Sequence, residues 1–198
     1  MAVTAKGTPY VESSDLVANY PGVSLALANH IDSRVGLVLV ANSTFSTAGV
    51  ININNCFTSL YRNYSVVLEL TGNGALAVRG RLRVGGVDAS GASDYKTGWS
   101  VVTGTSVVDD SFYSSNGTSS GFMNHVNSSG VFTGTTHTFY APQIAQPTLM
   151  SGFLASDQFM QGTMGFSHGL STAYDGLTIF PSANTMTGSI RIYGYQNS

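Results

Sequence analysis

From Gly36 to the end of the chain, apolar and β-branched residues come in short runs rich in Val, Ile, Thr, Tyr and Phe, each cut off by Gly, Asn or Ser. Runs of that length and composition are strand signals, and the residues between them are turn signals. They predict strands over residues 37–41, 49–57, 65–71, 75–85, 98–103, 121–126, 136–140, 149–154, 164–167, 176–181 and 188–195. Many short strands with no helices between them pack as two layers. The expected fold is therefore all-β, an antiparallel jelly-roll-like sandwich over residues 35–198.

Two pairs of runs can be read in detail. Val66, Leu68 and Leu70 alternate with Glu69, and Val78, Leu82 and Val84 alternate with Arg79, Arg81 and Arg83. Successive strand residues point to opposite faces, so even positions form an apolar face on both runs. Read as a hairpin around Asn73-Gly74, this parity requires an odd-numbered loop or a bulge. Near the end, Leu177 and Ile179 lead through Pro181 to Ile190 and Ile192, a second expected hairpin whose last strand belongs to the core.

Residues 1–34 differ. Up to Tyr20 there is no clear period, and an extended N-terminal arm is expected. Pro21 suits the first position of a helix, where its missing N–H costs nothing. Val23, Leu27 and Ile31 then recur every four residues and line one face of a short helix ending near residue 33. An isolated helix of that length is marginal in water. It needs either its own domain or the same helix from neighbouring copies, and Ala26 permits the close approach of a trimeric bundle. Tyr10 in the arm and Pro21, Val23, Leu27 and Ile31 in the helix are the candidate attachment and oligomer contacts.

Charge sets the next limits. Only 9% of residues are charged while 42% are hydrophobic, against about a quarter charged in ordinary soluble domains. Disorder of the charged kind is excluded. The chain must cover itself with Ser, Thr, Asn and Gly, or bury surface against copies of itself. A net charge of −2 with eight Lys and Arg gives no basic stripe to displace counterions from phosphates, so no nucleic-acid partner is expected. No apolar run approaches the roughly 20 residues of a membrane span, so no membrane insertion is expected. The first residues lack the basic and apolar segments of a secretory signal, and synthesis without export is expected. Three of the six arginines, Arg79, Arg81 and Arg83, share one strand face. That stripe suits a grip on an acidic partner surface or phosphate, or a solvated face neutralised by Glu69 and its neighbours.

Residues with chemical potential do not converge in the sequence. Cys56 sits in an apolar run and reads as a buried, inert thiol. His30, His125, His137 and His168 form no metal-ligand spacing and read as surface or interface residues. Asp109 and Asp110, adjacent in a strand, would point apart. The stretch from Asp88 to Asp94 lacks the ligand spacing of a calcium loop. Gly98-Trp99-Ser100 is not followed by the glycine of a nucleophile elbow. No catalytic residue, metal or cofactor is expected. A polysaccharide-cleaving enzyme would need Asp88, Asp94, Asp109 and Asp110 to converge in a cleft.

Residues 7–21, running from Gly7-Thr8-Pro9-Tyr10 to Asn19-Tyr20-Pro21, resemble the opening of bacteriophage minor tail and fibre-like proteins. The two closing segments, Tyr174-Asp175-Gly176-Leu177 onward and Met186-Thr187-Gly188-Ser189 onward, resemble the last hairpin of phage virion β-sandwich proteins. Tyr61-Arg62-Asn63-Tyr64 is similar to the Tyr-x-Asn-Tyr with which that group enters a core strand. The resemblance implies a non-enzymatic structural protein of the virion, assembled in the host cytoplasm, with no catalytic residue to carry over. It implies a tail-associated, receptor-facing homotrimer whose partners are itself, other virion proteins and a host surface glycan or protein. The alternative within the group is a capsid decoration protein clamped on the major capsid protein. The stretch 88–156 has no counterpart in the group, and its Ser, Gly, Asn and Tyr content suits a variable recognition surface.

Overall fold

The computed structural model describes residues 36–102, 110–158 and 160–196, together with 2–3, 9–10, 22 and 24–26. Its strands are β1 (Ala2–Val3), β2 (Pro9–Tyr10), β3 (Leu37–Ala48), β4 (Ile51–Ile53), β5 (Asn63–Gly72), β6 (Leu76–Val84), β7 (Val87–Asp88), β8 (Tyr95–Val102), β9 (Asp110–Thr118), β10 (Gly121–Val126), β11 (Phe132–Tyr140), β12 (Thr148–Ser156), β13 (Gln161–His168), β14 (Gly176–Pro181) and β15 (Met186–Tyr195). Tyr10 lies in β2, opposite Ala2. Residues 22 and 24–26 are helical. Pro21, Val23, Leu27 and Ile31 lie outside the described residues.

From residue 36 on, the protein is an antiparallel, jelly-roll-like β-sandwich. One layer has eight strands in the order β3-β15-β5-β11-β12-β13-β8-β9. The other has the order β10-β6-β14-β4, with β7 added to one end of β6. Each expected strand has a counterpart here. β9 was not expected, because Asp110–Thr118 holds mostly Ser, Asn and Gly and shows no apolar alternation. The stretch 88–156 is no set of loops: it contributes β8 to β12, and β10 and β11 supply core residues.

Both expected hairpins are corrected by the structure. β5 lies between β15 and β11 in the large sheet, whereas β6 lies between β10 and β14 in the small one. β14 and β15 are likewise divided between the two sheets. Each connection is an arch that carries the chain across the core. A hairpin puts the apolar positions of both strands on one face of one sheet. An arch puts them on the facing inner surfaces of two sheets, and the sequence alternation is the same. Val66, Leu68 and Leu70 accordingly pack in one cluster with Leu76, Val78, Leu82, Leu177, Ile179, Ile190 and Ile192. Val84, expected on that face, is exposed at the end of β6.

The two arches lie side by side and are bonded to each other. Asn73 N donates to Thr185 O at 3.1 Å, Thr185 N donates to Asn73 Oδ1 at 2.8 Å, and Asn184 Nδ2 donates to Ala75 O at 2.8 Å. Asn184 takes a φ of 63°, a left-handed conformation that asparagine tolerates better than most residues. Asn73 and Asn184 thus satisfy the backbone of the crossings, which no ladder reaches.

The large sheet also wraps the β10 edge of the small one. Val101, Leu154, Met160 and Met164 form a second cluster with Phe122, and Trp99 stacks on Phe122 with ring centroids 5.2 Å apart. β10 is thereby covered on both faces.

Candidate functional site

The arginine stripe lies on the outer face of the small sheet, and its three members differ. Arg83 is 6% exposed. Its Nε donates to Asn54 Oδ1 at 2.9 Å, and its Nη1 to Asn52 Oδ1 at 2.9 Å and to Thr178 Oγ1 at 2.6 Å. It also bonds the Asp88 carboxylate and the Gly86 carbonyl. A guanidinium has five N–H donors in a fixed fork, and here they bind β4, β7, β14 and the turn after β6 together. Arg83 is an internal clamp, closed to other molecules. The carboxylate that serves the stripe is Asp88. Glu69, expected in that part, lies in the other sheet and pairs with Arg191 at 3.1 Å.

Arg81 is half-buried. Its Nε donates to Ser119 O at 3.0 Å, its guanidinium carbon lies 4.5 Å from the centre of the Phe180 ring, and Nη1 is 3.7 Å from Asp88 Oδ2. Arg79 sits two residues earlier on the same face, opposite Phe122 on one neighbouring strand and Phe180 on the other. It makes no ion pair or side-chain hydrogen bond among the described residues. Arg79 and Arg81 open into a pocket of about 540 Å³ whose other walls include Ser119, Ser120, Phe180 and Ser182.

Two hydroxyl groups, of Tyr95 and Thr118, hold that rim. Tyr95 Oη accepts from Leu82 N at 2.8 Å and donates to Ala89 O at 3.0 Å, fixing the chain that follows β7. Next to Tyr95 in the ladder, Thr118 Oγ1 donates to Ser120 O at 2.9 Å and closes the β9–β10 turn.

The outer face of the large sheet is built differently. β11, β12 and β13 together contain no Asp, Glu, Lys or Arg. The register sets Val67, Thr136, Phe153, Thr163 and Ser100 in one row across five strands. Tyr140 and Leu149 form part of a parallel row. Phe153 and Leu149 are 51% and 52% exposed, and Tyr140 Oη lies 3.1 Å from Ser151 Oγ. Sequence reasoning did not single out this face. The signal was present in residues 132–156, which contain no charged residue.

The remaining candidates are dispersed. Cys56 is fully buried, and burial pushes its thiol up to about 12, so the nucleophilic thiolate does not form near neutral pH. His137 and His168, read from the sequence as surface or interface residues, are completely buried inside the chain's own sandwich. Both fall on inward positions of β11 and β13, where strand parity overrides polarity. His137 Nε2 is 3.0 Å from Thr135 Oγ1, and burial lowers its pKa to about 4. Burial also lowers the pKa of His168, with the nearby Asp94 carboxylate, 3.8 Å away, acting in the opposite sense. His125 is partly buried and stacks on Trp99; His30 lies outside the described residues.

Asp88 is engaged by Arg83 and Arg81, whereas Asp94 faces His168. Asp109 lies outside the described residues, and Asp110 opens β9. Among the described residues no three His, Cys, Asp or Glu side chains gather as a metal-binding group, and no helix is long and apolar enough to cross a membrane.

No protein-family model and no curated protein matches the chain. Among solved structures it is similar to the galectin LEC-6 of Caenorhabditis elegans, at 10% identity and a TM-score of 0.36, over 76% of this chain and 94% of that one. It is similar to A. japonicus CB05, at 9% identity and a TM-score of 0.31, over 87% of this chain and 28% of that one. The sucrose-6-phosphate hydrolase of Lactobacillus gasseri matches at 10% identity and a TM-score of 0.30, over 81% and 29%. The chain thus spans under a third of the length of these last two. Scores of this size carry no conclusion about function, and the fold class rests on the strand pairing described above.

Proposed function

We propose that the protein is a non-enzymatic structural component of a bacteriophage particle, a tail-associated, receptor-facing subunit that works as an assembly of copies. The single observation that most supports this reading is the charge-free outer face of β11, β12 and β13, with Phe153, Leu149 and Tyr140 exposed on it. Interface cores are depleted in charge and enriched in aromatic side chains. Free soluble monomers rarely present large apolar patches to water. The phage assignment itself rests on the resemblance of residues 7–21, 61–64 and the closing segments to virion β-sandwich proteins.

Quantitative mass spectrometry of purified particles, with copy number taken against the major capsid protein, tests the reading. A handful of oligomers per particle places the protein on the tail. Copies approaching those of the capsid protein would replace that place with capsid decoration, and absence from particles would overturn the virion reading.

A further inference from the structure

We propose that the pocket over Arg79 and Arg81 binds an anionic sugar, with the carboxylate or sulfate of that sugar held between the two guanidinium groups. Alternate residues on one strand face lie about 7 Å apart, a separation one anionic group can bridge. Among the described residues Asp88 is the one carboxylate that pairs with the stripe, at Arg81 and Arg83, and the second nearby carboxylate, Asp175, lies at the far end against Gly85 N, so the Arg79 end is left cationic. Asp88 is mostly committed to Arg83 and Thr178, the latter at 2.6 Å. None of the residues lining the pocket is acidic.

The pocket is also pre-organised. Arg81 is held by the Ser119 carbonyl at Nε, by the Phe180 ring under its guanidinium carbon and by Asp88, 3.7 Å from Nη1, while Nη2 makes no hydrogen bond among the described residues. Arg79 has ring systems as its cross-strand neighbours, which offer no conventional hydrogen-bond acceptor. A planar fork with free donors pairs with carboxylate and sulfate oxygens in bidentate fashion.

Three features select a sugar over a peptide. Both edges of β6 along this stretch are already paired, by β10 and β14, so a peptide cannot add as a strand. The walls carry the hydroxyls of Ser119, Ser120 and Ser182, which suit a ligand rich in hydroxyl groups. The volume of about 540 Å³ falls in the ordinary range for small-ligand sites and suits one or two sugar rings. The site lies on the opposite sheet from the charge-free face, so sugar binding and self-assembly can fail separately.

The test is calorimetric titration of the full chain with digalacturonate, a monosulfated disaccharide, a neutral disaccharide and inorganic sulfate alone. At least one anionic disaccharide should bind with a Kd of about 1 mM or tighter, and at least tenfold better than the neutral one. Whichever binds more tightly tells carboxylated from sulfated sources. Arg79→Gln should weaken that binding tenfold or more at unchanged Tm, and Arg79→Lys should fall between. Raising the salt from ~0.05 M to ~0.5 M should weaken it as well, because the pocket is open to solvent. Failure of both anionic disaccharides to bind at ~10 mM, equal binding of the neutral sugar, or indifference to Arg79→Gln would overturn the proposal. Inorganic sulfate binding as tightly as the disaccharides would reduce the pocket to an adventitious ion only, and would overturn it too.

Discussion

The two sheets turn opposite chemistry outward. The small sheet shows Arg79 and Arg81 around a pocket, with Arg83 and Asp88 closed off beside them; the central strands of the large sheet show hydroxyls, glycine and exposed Phe153, Leu149 and Tyr140 with no Asp, Glu, Lys or Arg. Both faces alternate with a well-packed inner face, so the demand for a core does not explain the difference. A chain with 9% charged residues has few charges to distribute. Clustering cations in one part and leaving another bare separates a surface for polar ligands from a surface for burial against protein. The difference also divides the arginines. A charge on a sheet's outer face is structural where neighbouring strands supply acceptors, as for Arg83, and available where they supply only rings, as for Arg79.

Removing Arg83 breaks the structural half of that contrast and should have the largest effect. Arg83→Ala takes from Asp88 its buried cationic partner and from Asn54 its donor, and leaves Asn52 and Asp88 to share the one hydroxyl proton of Thr178. Losing one partner of a buried ionic network costs about 3–5 kcal/mol. Urea unfolding should show that loss, and Arg83→Lys should recover only part of it, since one ammonium cannot reach acceptors on four elements. A loss under ~1 kcal/mol for Arg83→Ala would mean that the stripe is uniform after all.

Acid should act on the interior of the large sheet. His137 has its pKa lowered to about 4 by burial, from an ordinary 6.5. As pH falls from about 6.5 towards 4, the unfolded chain takes up a proton that the folded chain refuses. The stability His137 contributes is therefore full above pH 6.5 and is lost on the way down to about 4. At 1.36 kcal/mol per pKa unit the loss is roughly 3 kcal/mol. His168 and His125, whose pKa values burial also lowers, add in the same direction. Denaturant midpoints measured across that window should fall with pH, and less steeply in His137→Gln. An unchanged slope in that variant would remove His137 as the cause. The ring also explains a glycine: a Cβ on Gly152, its cross-strand partner, would sit 2.1 Å from His137 Nδ1.

These residues show what the sequence discloses and what it withholds. Alternation identified the even-numbered core of β5 and β6 and the core role of β15, because strand parity is local and follows from the chain alone. It did not reveal that β5 and β6 belong to different sheets, because hairpin and arch share one pattern. The bonds between Asn73, Thr185, Asn184 and Ala75 that mark the arches join residues more than a hundred positions apart. Separations of 29, 31 and 95 positions likewise hid Asn54, Asn52 and Thr178 as the partners of Arg83. His137 and His168 are buried against their residue type, because strand parity and not polarity sets which side chains face the core. The charge-free face was legible in residues 132–156 as an absence, which gains meaning only once the register lays three strands side by side.

The large-sheet face should respond to charge in assembly and not in folding. Phe153→Lys places an ammonium at the centre of the exposed row, where a monomer solvates it with little cost. Its effect on monomer unfolding should stay within about 0.5 kcal/mol. Self-association, followed by sedimentation over a concentration series, should weaken at least tenfold, about 1.4 kcal/mol. Thr163→Lys, one strand away in the same row, should act similarly. A wild-type chain that stays monomeric at every concentration would remove the assembly role of this face.

The smallest expected effect is the sharpest comparison within one strand. Arg79→Ala removes a guanidinium that makes no ion pair or side-chain hydrogen bond among the described residues, so unfolding should change by less than ~0.5 kcal/mol. It also relieves the repulsion between Arg79 and Arg81, which lie two residues apart on one face. Coulomb repulsion between unit charges at about 7 Å in water is roughly 0.6 kcal/mol before screening. The change should thus turn slightly stabilising, more at low salt than at high salt. Arg83 and Arg79 would then lie at opposite ends of a scale on which four residues of sequence separate a clamp from a free cation. A large destabilisation by Arg79→Ala would mean that Arg79 is held by its stem, packed between Phe122 and Phe180, and serves the fold as Arg83 does.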